Sequence, residues 1–418
     1  MAEIRQADGF SDWLDQRLAV RKFMKVMMSE YWIPKNINFL WAMGVVLVVL
    51  FAILMVSGIF LLMYYKPDIN LAFDSVNYTI MQEVEYGWLW RHMHGVSASA
   101  AFLIIYIHMF TGIYYGSYKK GREIIWITGM ILFVAFSAEA FSGYMLPWGQ
   151  MSYWAAQVIT NLFGGIPVIG EALVIWIRGD FLVADATLTR FFMLHVVLLP
   201  LVIILVIALH FYALRVPHVN NQASEVFDFD KEAMKYLNGR KKESKVVPFW
   251  PVFLSKDFFV VGVFMLFFFF LVCYHYDFAM DPINFEPANN MKTPAHIYPE
   301  WYFLWSYEVL RGFFFDIGGI AAMDIGLMAF GFANVAFILL PFLDRNTQHV
   351  APAHQRPAFF VWFWILLLDM IVLTVYGKLP PTGSNAWIGF FAAIIFLLLF
   401  MALPIITKIE AKSKGAQQ

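Results

Sequence analysis

The chain has 418 residues, of which 61% are hydrophobic and 14% charged, and its mean hydropathy is +0.65. This composition is typical of a polytopic membrane protein and excludes an ordinary soluble domain. The formal net charge of −1 predicts no nucleic-acid partner, and the single cysteine excludes an internal disulfide framework.

Eight apolar runs are each long enough to cross a bilayer as a helix, so we predict an all-α membrane protein. Its predicted divisions are an amphipathic surface segment (1–37), a four-helix bundle (38–213), a loop (214–256), a C-terminal transmembrane domain (257–407) and a tail (408–418). The predicted spans are 38–65, 88–115, 124–146, 188–213, 257–277, 323–343, 358–376 and 386–407.

Basic residues predict the orientation of these spans. Twenty-two of the 29 Lys and Arg residues lie in the two termini and in the loops at 116–123, 214–257 and 343–357. Because basic loops stay in the cytoplasm, both termini are predicted to be cytoplasmic. The second and fourth spans then both run from the outer to the inner face.

Histidines recur at helical spacing in the second and fourth spans. His94 and His108 are fourteen residues apart, which places both on one helix face, about 21 Å apart along the axis. His195 and His210 are fifteen apart, about 60° past four full turns. Because ionisable side chains inside a membrane are costly, these four indicate a functional site. We predict one histidine pair at the outer level (His94, His195) and one at the inner level (His108, His210).

Glycines repeat the same spacing in the first and third spans. Gly44 and Gly58 are fourteen apart, as are Gly129 and Gly143. The topology puts Gly58 and Gly143 at the outer level and the other two at the inner level. Small residues also serve close helix packing in membranes, but the shared period favours two slots for planar cofactors.

Two imidazoles per site, without thiolate or carboxylate ligands, favour six-coordinate haem iron, which transfers electrons rather than activating a ligand. Two other classes remain open. A di-haem membrane anchor of another respiratory dehydrogenase also uses bundled histidines, although such anchors usually have four or five spans. A haem-free proton-coupled transporter would use the histidines as a proton relay.

Several motifs resemble cytochrome b of the cytochrome bc1 complex over essentially the whole chain. Besides the histidines and glycines, they are GYMLPWGQMSYWAAQVITN (143–161), TLTRFFMLH (187–195), SKD (255–257) and PEWYFLWSY (299–307). The fifteen-residue histidine spacing is similar to that of cytochrome b6, whereas fourteen is usual in the bc1 family.

The resemblance implies a subunit of a quinol:cytochrome c oxidoreductase in a bacterial inner membrane. Quinol would be oxidised near the outer face, with one electron passing to a Rieske iron–sulfur protein and then to cytochrome c1 or another c-type cytochrome. The other electron would cross through a low-potential and then a high-potential b haem to quinone near the inner face, coupled to proton translocation. A homodimer of multi-subunit complexes, surrounded by lipid, is implied as well.

Carried over residue by residue, the resemblance assigns His94 and His195 to the low-potential haem, and His108 and His210 to the high-potential one. Arg91 and Arg190 would pair with haem propionates. At the quinol-oxidation site Glu300 is the implied proton acceptor, with Tyr307 and Tyr144 as further catalytic candidates. The rest of that pocket would be formed by Phe141, Met151, Ile159, Pro299 and Tyr302.

The implied quinone-reduction site is built from Lys256 and Asp257 at the start of the fifth span. Five residues after His210 the bc1 family commonly has a histidine, but this sequence has Arg215, which can only donate hydrogen bonds. His218 could take over that contact, with Asn221 nearby.

Overall fold

The computed structural model describes residues 9–278, 280–346 and 350–415. Its first helices are α1 (Phe10–Leu18) and α2 (Val20–Met24), separated at Ala19, whose φ of 48° interrupts the helix. Phe10, Trp13, Leu18 and Phe23 are exposed on these two helices, while Arg17, Arg21 and Lys22 supply positive charge. The described part of the N-terminal segment therefore exposes both apolar and basic side chains, and its position at the membrane surface stays a prediction.

The four-helix-bundle region predicted at 38–213 contains eight α-helices within the described residues, besides short 3₁₀ and π-helical segments. They are α3 (Met43–Leu62), α4 (Ala72–Asp74), α5 (Gly87–Tyr114), α6 (Glu123–Met145), α7 (Gln150–Leu162), α8 (Gly170–Arg178), α9 (Asp185–Met193) and α10 (Leu199–Arg215). A π-helical turn, Leu194–Leu198, joins α9 to α10 into one continuous span, Asp185–Arg215.

The later part of the chain adds a small loop structure and more spans. The loop carries α11 (Phe229–Leu237) and a two-stranded antiparallel sheet of β1 (Trp32–Pro34) and β2 (Val246–Pro248), with Ile33 opposite Val247. The following helices are α12 (Leu254–Tyr274), α13 (Leu304–Arg311), α14 (Ala322–Ile338), α15 (Leu340–Leu343), α16 (Pro357–Lys378) and α17 (Ser384–Gly415).

Seven helical segments in the described part of the chain are long and apolar enough to cross a membrane, so this is a multi-pass membrane protein. Six contain one of the helices α3, α5, α6, α12, α16 and α17, and the seventh is α9–α10. The predicted sixth span is divided into α14 and α15. Pro341 lies at this division and lacks the backbone N–H needed to continue the helix. Seven of the predicted spans are therefore confirmed within the described residues. The shorter apolar helix α14 brings the count close to the eight that the sequence predicts.

Helix packing divides the bundle into two halves that share α5. In the first half α3 packs against α5 and α6 packs against α10, while in the second α13 packs against α14 and α16. A large core cluster joins the halves, running from Phe102 and Ile113 of α5 to Trp305, Phe337 and Trp362. The outward faces carry exposed apolar side chains, as lipid contact requires.

A buried cluster of charged side chains closes one end of this second half. Arg356 donates to both oxygens of Asp344, at 2.9 and 3.0 Å, and to Glu410 at 3.0 Å. From the loop after α5, Tyr118 donates to Asp344 at 2.7 Å and the Lys119 ammonium lies 3.1 Å from its other oxygen. This Asp344 cluster joins the two halves of the fold at that end.

Candidate functional site: two histidine pairs and two cavities

The four histidines at helical spacing meet across the bundle in two pairs. The rings of His94 on α5 and His195 on the α9–α10 span are 6.1 Å apart between centroids, at 79° to each other. His108, further along α5, lies close enough to His210 to interact with it electrostatically. The structure thus brings together the two pairs that the sequence predicts.

Hydrogen bonds fix which ring nitrogen each of three imidazoles presents to the interior. The Ser57 hydroxyl donates to the Ile53 carbonyl at 2.6 Å, so it accepts from His94 Nδ1, 3.0 Å away. Thr128 does the same for His210, with its hydroxyl 2.8 Å from the Ile124 carbonyl and 2.9 Å from His210 Nδ1. In both histidines Nε2 keeps its lone pair and can bind a metal.

His195 is oriented in a different way, by Glu139 of α6, which the sequence analysis did not single out. Its Nδ1 lies 3.0 Å from the backbone carbonyl of Glu139 and 3.1 Å from the carboxylate of the same residue. The second carboxylate oxygen of Glu139 is buried without a hydrogen-bond partner among the described residues. A carboxylate on Nδ1 raises the basicity of an imidazole ligand.

The four glycines lie against the four imidazoles. A Cβ at Gly44 would meet His108 Cε1 at 3.6 Å, whereas at Gly58 and Gly129 it would meet the facing histidine at 3.2 and 3.3 Å. At Gly143 it would overlap the ring of His195, approaching Nδ1 to 2.8 Å. In this structure the glycines therefore leave room for the imidazoles themselves, in addition to any flat ligand held between them.

The predicted arginines lie apart from each other. Arg91 on α5 interacts electrostatically with Glu300 and is partly buried. Arg190 on α9 donates to the backbone carbonyl of Trp176. Arg178 was not singled out from the sequence, yet it is buried and hydrogen-bonded to Thr160 at 2.8 Å and Asn161 at 2.9 Å, which ties α8 to α7.

A narrow cavity lies where α6 and α7 meet the loop before α13. It leaves about 10 Å³, room for one water molecule, so a ring can enter only if side chains move apart. Five of the residues predicted for quinol oxidation are among those that line it. The lining residues are Phe141, Tyr144, Ala155, Ile159, Pro299, Glu300 and Phe303.

Glu300 is the acid of this cavity. Burial raises the pKa of its carboxyl to about 7, and the neighbouring Asp281 carboxylate adds to this effect. A hydrogen bond from Tyr144 and the charges of Arg91 and Lys378 act in the opposite direction. A carboxyl whose pKa lies near neutrality can exchange protons at physiological pH.

Three other residues predicted for this pocket do not line the cavity. Met151 is fully buried in α7. Tyr302 stacks on Phe102 of α5, with centroids 4.0 Å apart and planes 3° apart. Tyr307 donates its hydroxyl to the Ile297 carbonyl at 3.1 Å, so it supports the chain two residues before Pro299.

A larger cavity of about 360 Å³ opens beside the start of α12. Lys256 and Asp257 both line it, together with Asn38 and a group of apolar side chains. Asp257 is 2% exposed although it lies at the beginning of a membrane span. An ammonium and a buried carboxyl at one cavity can provide the proton donor and acceptor that quinone reduction needs.

The remaining residues predicted for the quinone-reduction site lie beside this cavity, not in its lining. The Arg215 guanidinium lies 3.9 Å from the ring centroid of Tyr31, and His218 stacks on the same ring at 5.3 Å. Asn221 closes its own loop, because its amide donates to the Glu225 carbonyl at 2.8 Å. Phe249 lies between the Tyr31 ring and the cavity, because it contacts Tyr31 on one side and the cavity residue Phe253 on the other.

These features define a class of protein: a helical membrane protein with two facing histidine pairs and a separate cavity near each end of the bundle. The metal ligands available at these sites fit haem iron rather than a metal ion bound by protein side chains alone. Each site offers two imidazoles, and in the described ranges no group of three or more His, Cys, Asp or Glu side chains could hold a metal ion.

Comparisons with known proteins identify the family. A family model described as cytochrome b/b6/petB matches residues 28–217, and one described as cytochrome b (C-terminal)/b6/petD matches residues 287–397. Cytochrome b of Rickettsia bellii is 42% identical over 400 residues, covering 96% of this chain and 94% of that protein. Cytochrome b of Rhodobacter capsulatus is 39% identical over 416 residues, covering 96% and 92%.

A solved structure supports the same assignment. A chain of a hyperthermophilic respiratory complex III superimposes with a TM-score of 0.86 at 40% identity, covering 96% of this chain and 100% of that chain. The chain belongs to the cytochrome b family, and membership implies that it binds haem.

Proposed function

We propose that this chain is the cytochrome b subunit of a bc1-type respiratory complex III, a quinol:cytochrome c oxidoreductase. The single observation that carries the proposal is the pair of facing histidine sites between α5 and the α9–α10 span, each beside a glycine-bearing helix. The similarity to a complex III chain over 96% of the sequence supports it. The location that we propose is a bacterial inner membrane, and the enriched Lys and Arg content of the termini and three loops supports cytoplasmic termini.

Two non-covalent b-type haems are proposed, one for each histidine pair. His94 and His195 would hold the low-potential haem, and His108 and His210 the high-potential haem. Bound there, haem supplies one-electron transfer between the two faces of the membrane. Arg91 and Arg190 would bind propionates. The Nδ1 hydrogen bonds of His94, His195 and His210 support this assignment because they leave Nε2 for iron.

Quinol oxidation belongs to the narrow cavity that contains Glu300. A quinol gives up two electrons and two protons, and the Glu300 carboxylate accepts one of these protons while Tyr144, its hydrogen-bond donor, orients it. Tyr307, the other catalytic candidate from the sequence, is assigned a positioning role, because its hydroxyl holds the chain just before Pro299. One electron leaves to a Rieske iron–sulfur protein and onward to cytochrome c1 or another c-type cytochrome, and the other crosses the membrane.

Quinone reduction belongs to the cavity of about 360 Å³ beside α12. There Lys256 and Asp257 supply the protons that join the arriving electrons on the quinone. Proton release at the outer cavity and uptake at the inner one together translocate protons. Arg215, His218 and Asn221 are assigned to the wall beside this cavity. The working unit is a homodimer of multi-subunit complexes embedded in lipid.

Haem content and redox titration of the purified complex test the proposal. We expect two b haems per chain in a pyridine haemochrome assay, and two separate midpoint potentials in reduced-minus-oxidised spectra. His94→Leu should remove only the low-potential component and His108→Leu only the high-potential one. A single haem in the unmodified chain, or the loss of the same component in both variants, would overturn the ligand assignment. Absence of haem would leave the transporter interpretation.

A further inference from the structure

The loop that carries Glu300 is held from one face of α5. The Trp301 indole N–H donates to the Ser99 hydroxyl at 2.6 Å. The Tyr106 hydroxyl donates to the backbone carbonyl of Tyr302 at 2.5 Å. Ser99 and Tyr106 are seven residues apart, two turns along the same helix face. Both hydrogen bonds join groups that are about 200 positions apart in the sequence.

Ring stacking fills the space between these two hydrogen bonds. Phe102 lies between Ser99 and Tyr106 on α5, and the ring of Tyr302 stacks on it at 4.0 Å. On one face of α5, Ser99 therefore contacts the side chain of Trp301. Phe102 contacts the ring of Tyr302, and Tyr106 contacts its backbone. Glu300 immediately precedes these residues, and its own carbonyl accepts from Phe303 N–H at 2.9 Å.

The Tyr106 hydroxyl has no spare hydrogen. Its proton goes to the Tyr302 carbonyl, while its oxygen accepts from the Trp305 indole N–H at 2.8 Å. Trp305 is buried at the second position of α13. The hydroxyl thus joins three segments, α5, the 299–303 loop and α13, at one atom. A phenol hydroxyl that both donates and accepts a hydrogen bond holds its two partners in place more rigidly than a hydroxyl that makes only one of these bonds.

We propose that Tyr106 is a positioning residue for quinol oxidation, which holds the backbone of the 299–303 loop so that the Glu300 carboxyl stays in the outer cavity. The inference rests on the proposed function. Because α5 also carries His94 and His108, the same helix sets both the place of the proton acceptor and the place of the electron-transfer sites.

The electrostatic surroundings of Glu300 depend on this placement. Its neighbours are Tyr144 of α6, Asp281 of the loop after α12, Arg91 of α5 and Lys378 at the end of α16. If the loop is released, water reaches the carboxyl, and its desolvation decreases. The pKa of Glu300 then falls from about 7 towards its ordinary value. The half-maximal point of the pH profile should move with it, to lower pH.

The matched variants are Tyr106→Phe and Trp305→Phe, assayed as the assembled complex with a water-soluble short-chain quinol. Tyr106→Phe removes both hydrogen bonds of the phenol. Trp305→Phe removes the bond that Tyr106 accepts, together with part of a buried ring that packs on Phe337 and Phe396, but it keeps the bond to the Tyr302 carbonyl. For Tyr106→Phe we expect kcat/KM to fall about ten-fold, with the acid limb of its pH profile shifted to lower pH. For Trp305→Phe we expect less than a two-fold change and an unshifted profile.

A double variant and the haem spectra distinguish a loss of positioning from a loss of protein stability. Tyr106→Phe leaves the Trp305 indole N–H unpaired, which can destabilise the protein by itself. The double variant Tyr106→Phe/Trp305→Phe removes that unpaired donor, and it should fold while retaining the ten-fold loss and the shifted profile. Haem spectra and midpoint potentials should match the unmodified chain in all three variants, because no iron ligand is touched.

The outcomes separate the inference from the function on which it rests. If Tyr106→Phe and the double variant behave like Trp305→Phe, the positioning role is wrong. If Glu300→Gln, measured in parallel, keeps full activity and the unmodified pH profile, the proton-acceptor role of Glu300 is wrong instead. A loss of activity in Tyr106→Phe that Trp305→Phe shares, with no shift of the pH profile, would mean packing alone and would also overturn the inference.

Discussion

Single hydroxyl groups determine which nitrogen two of the histidines present to the centre of the bundle. Ser57 and Thr128 each give their proton to a carbonyl one turn earlier, so they can only accept from the imidazole. The sequence predicts the histidines from their spacing, but it does not reveal this role. The sequence does place a hydroxyl-bearing residue directly before Gly58 and before Gly129. Predicting its hydrogen bond to a histidine also requires knowledge of which helices face each other.

Glu300→Gln should lower kcat/KM for quinol by about 100-fold or more, because an amide cannot accept the proton that the carboxylate takes. In the unmodified chain the carboxyl must be ionised to act, and its pKa is about 7. Activity should therefore fall as the pH drops below 7, and this limb should be absent from the residual activity of the variant. Steady-state rates from pH 5 to about 9 check both statements.

Glu286→Gln is the matched control for this experiment. Glu286 is an exposed glutamate in the same outer region, 3.7 Å from the Lys292 ammonium. Its replacement should leave the rate and the pH profile unchanged. Equal losses in the two variants would show that charge in this region, rather than proton acceptance by Glu300, governs the reaction.

A π-helical turn explains how the α9–α10 span accommodates its fifteen-residue histidine spacing. The turn covers Leu194–Leu198 and so contains His195. A π turn contains one more residue than an α turn. It therefore absorbs the extra residue in the spacing of His195 and His210, which is fifteen instead of fourteen. Ideal α-helical geometry predicts a rotation of about 60° between the two histidines. Local backbone geometry of this kind is not readable from periodicity.

Gly143→Ala should disrupt the outer histidine pair. The added methyl group would overlap the imidazole of His195, and neither α6 nor the α9–α10 span can move without disturbing its neighbours. We expect the low-potential haem component to disappear from redox titrations while the high-potential component remains.

Gly44→Ala provides the comparison at the other level. There the methyl group would meet His108 Cε1 at 3.6 Å, an ordinary contact distance. Both haem components should be retained in this variant. If Gly143→Ala also retained both at unaltered potentials, the close approach seen at that glycine would not matter for cofactor binding.

The membrane spans could be predicted from the sequence, whereas the contacts between distant residues that complete the site could not. Apolar length located the spans, and the family resemblance that PEWY and the histidines carry is confirmed by the comparisons. The division of the sixth span at Pro341 and the contact of Tyr106 with Tyr302 were not predicted. The latter joins residues 196 positions apart, and a single sequence without relatives holds no signal for such a pair.

At the scale of the whole molecule, the Asp344 cluster joins the loop after α5 to the last two helices. Burial alone would raise the pKa of Asp344, but the Arg356 guanidinium and the Lys119 ammonium hold it below its ordinary value. The depressed pKa means that the cluster stabilises the fold above the unfolded-state pKa of about 4. This contribution is lost as the pH falls through the lower, folded-state pKa.

Arg356→Met should destabilise the protein by about 3–5 kcal/mol, because it leaves two buried carboxylates without their shared cation. The thermal unfolding midpoint of the purified complex should fall clearly at neutral pH. The difference from the unmodified chain should shrink as the pH is lowered from about 4 through the depressed folded-state pKa of Asp344.

Lys245→Ala is the control for ion pairing as such. Lys245 lies 2.7 Å from the Glu225 carboxylate, but both side chains are about half exposed. Loss of this pair should leave the unfolding midpoint unchanged, since solvent already screens it. An equal decrease in both variants would contradict the special role of the buried cluster.

The position of Glu410 in the last helix has a consequence for biogenesis. Arg356 is synthesised before α17, and until α17 is complete it has Asp344 but not its second carboxylate partner. The cluster can therefore be completed only after translation has passed residue 410. A nascent chain interrupted before that point would leave the Arg356 guanidinium with one carboxylate partner instead of two.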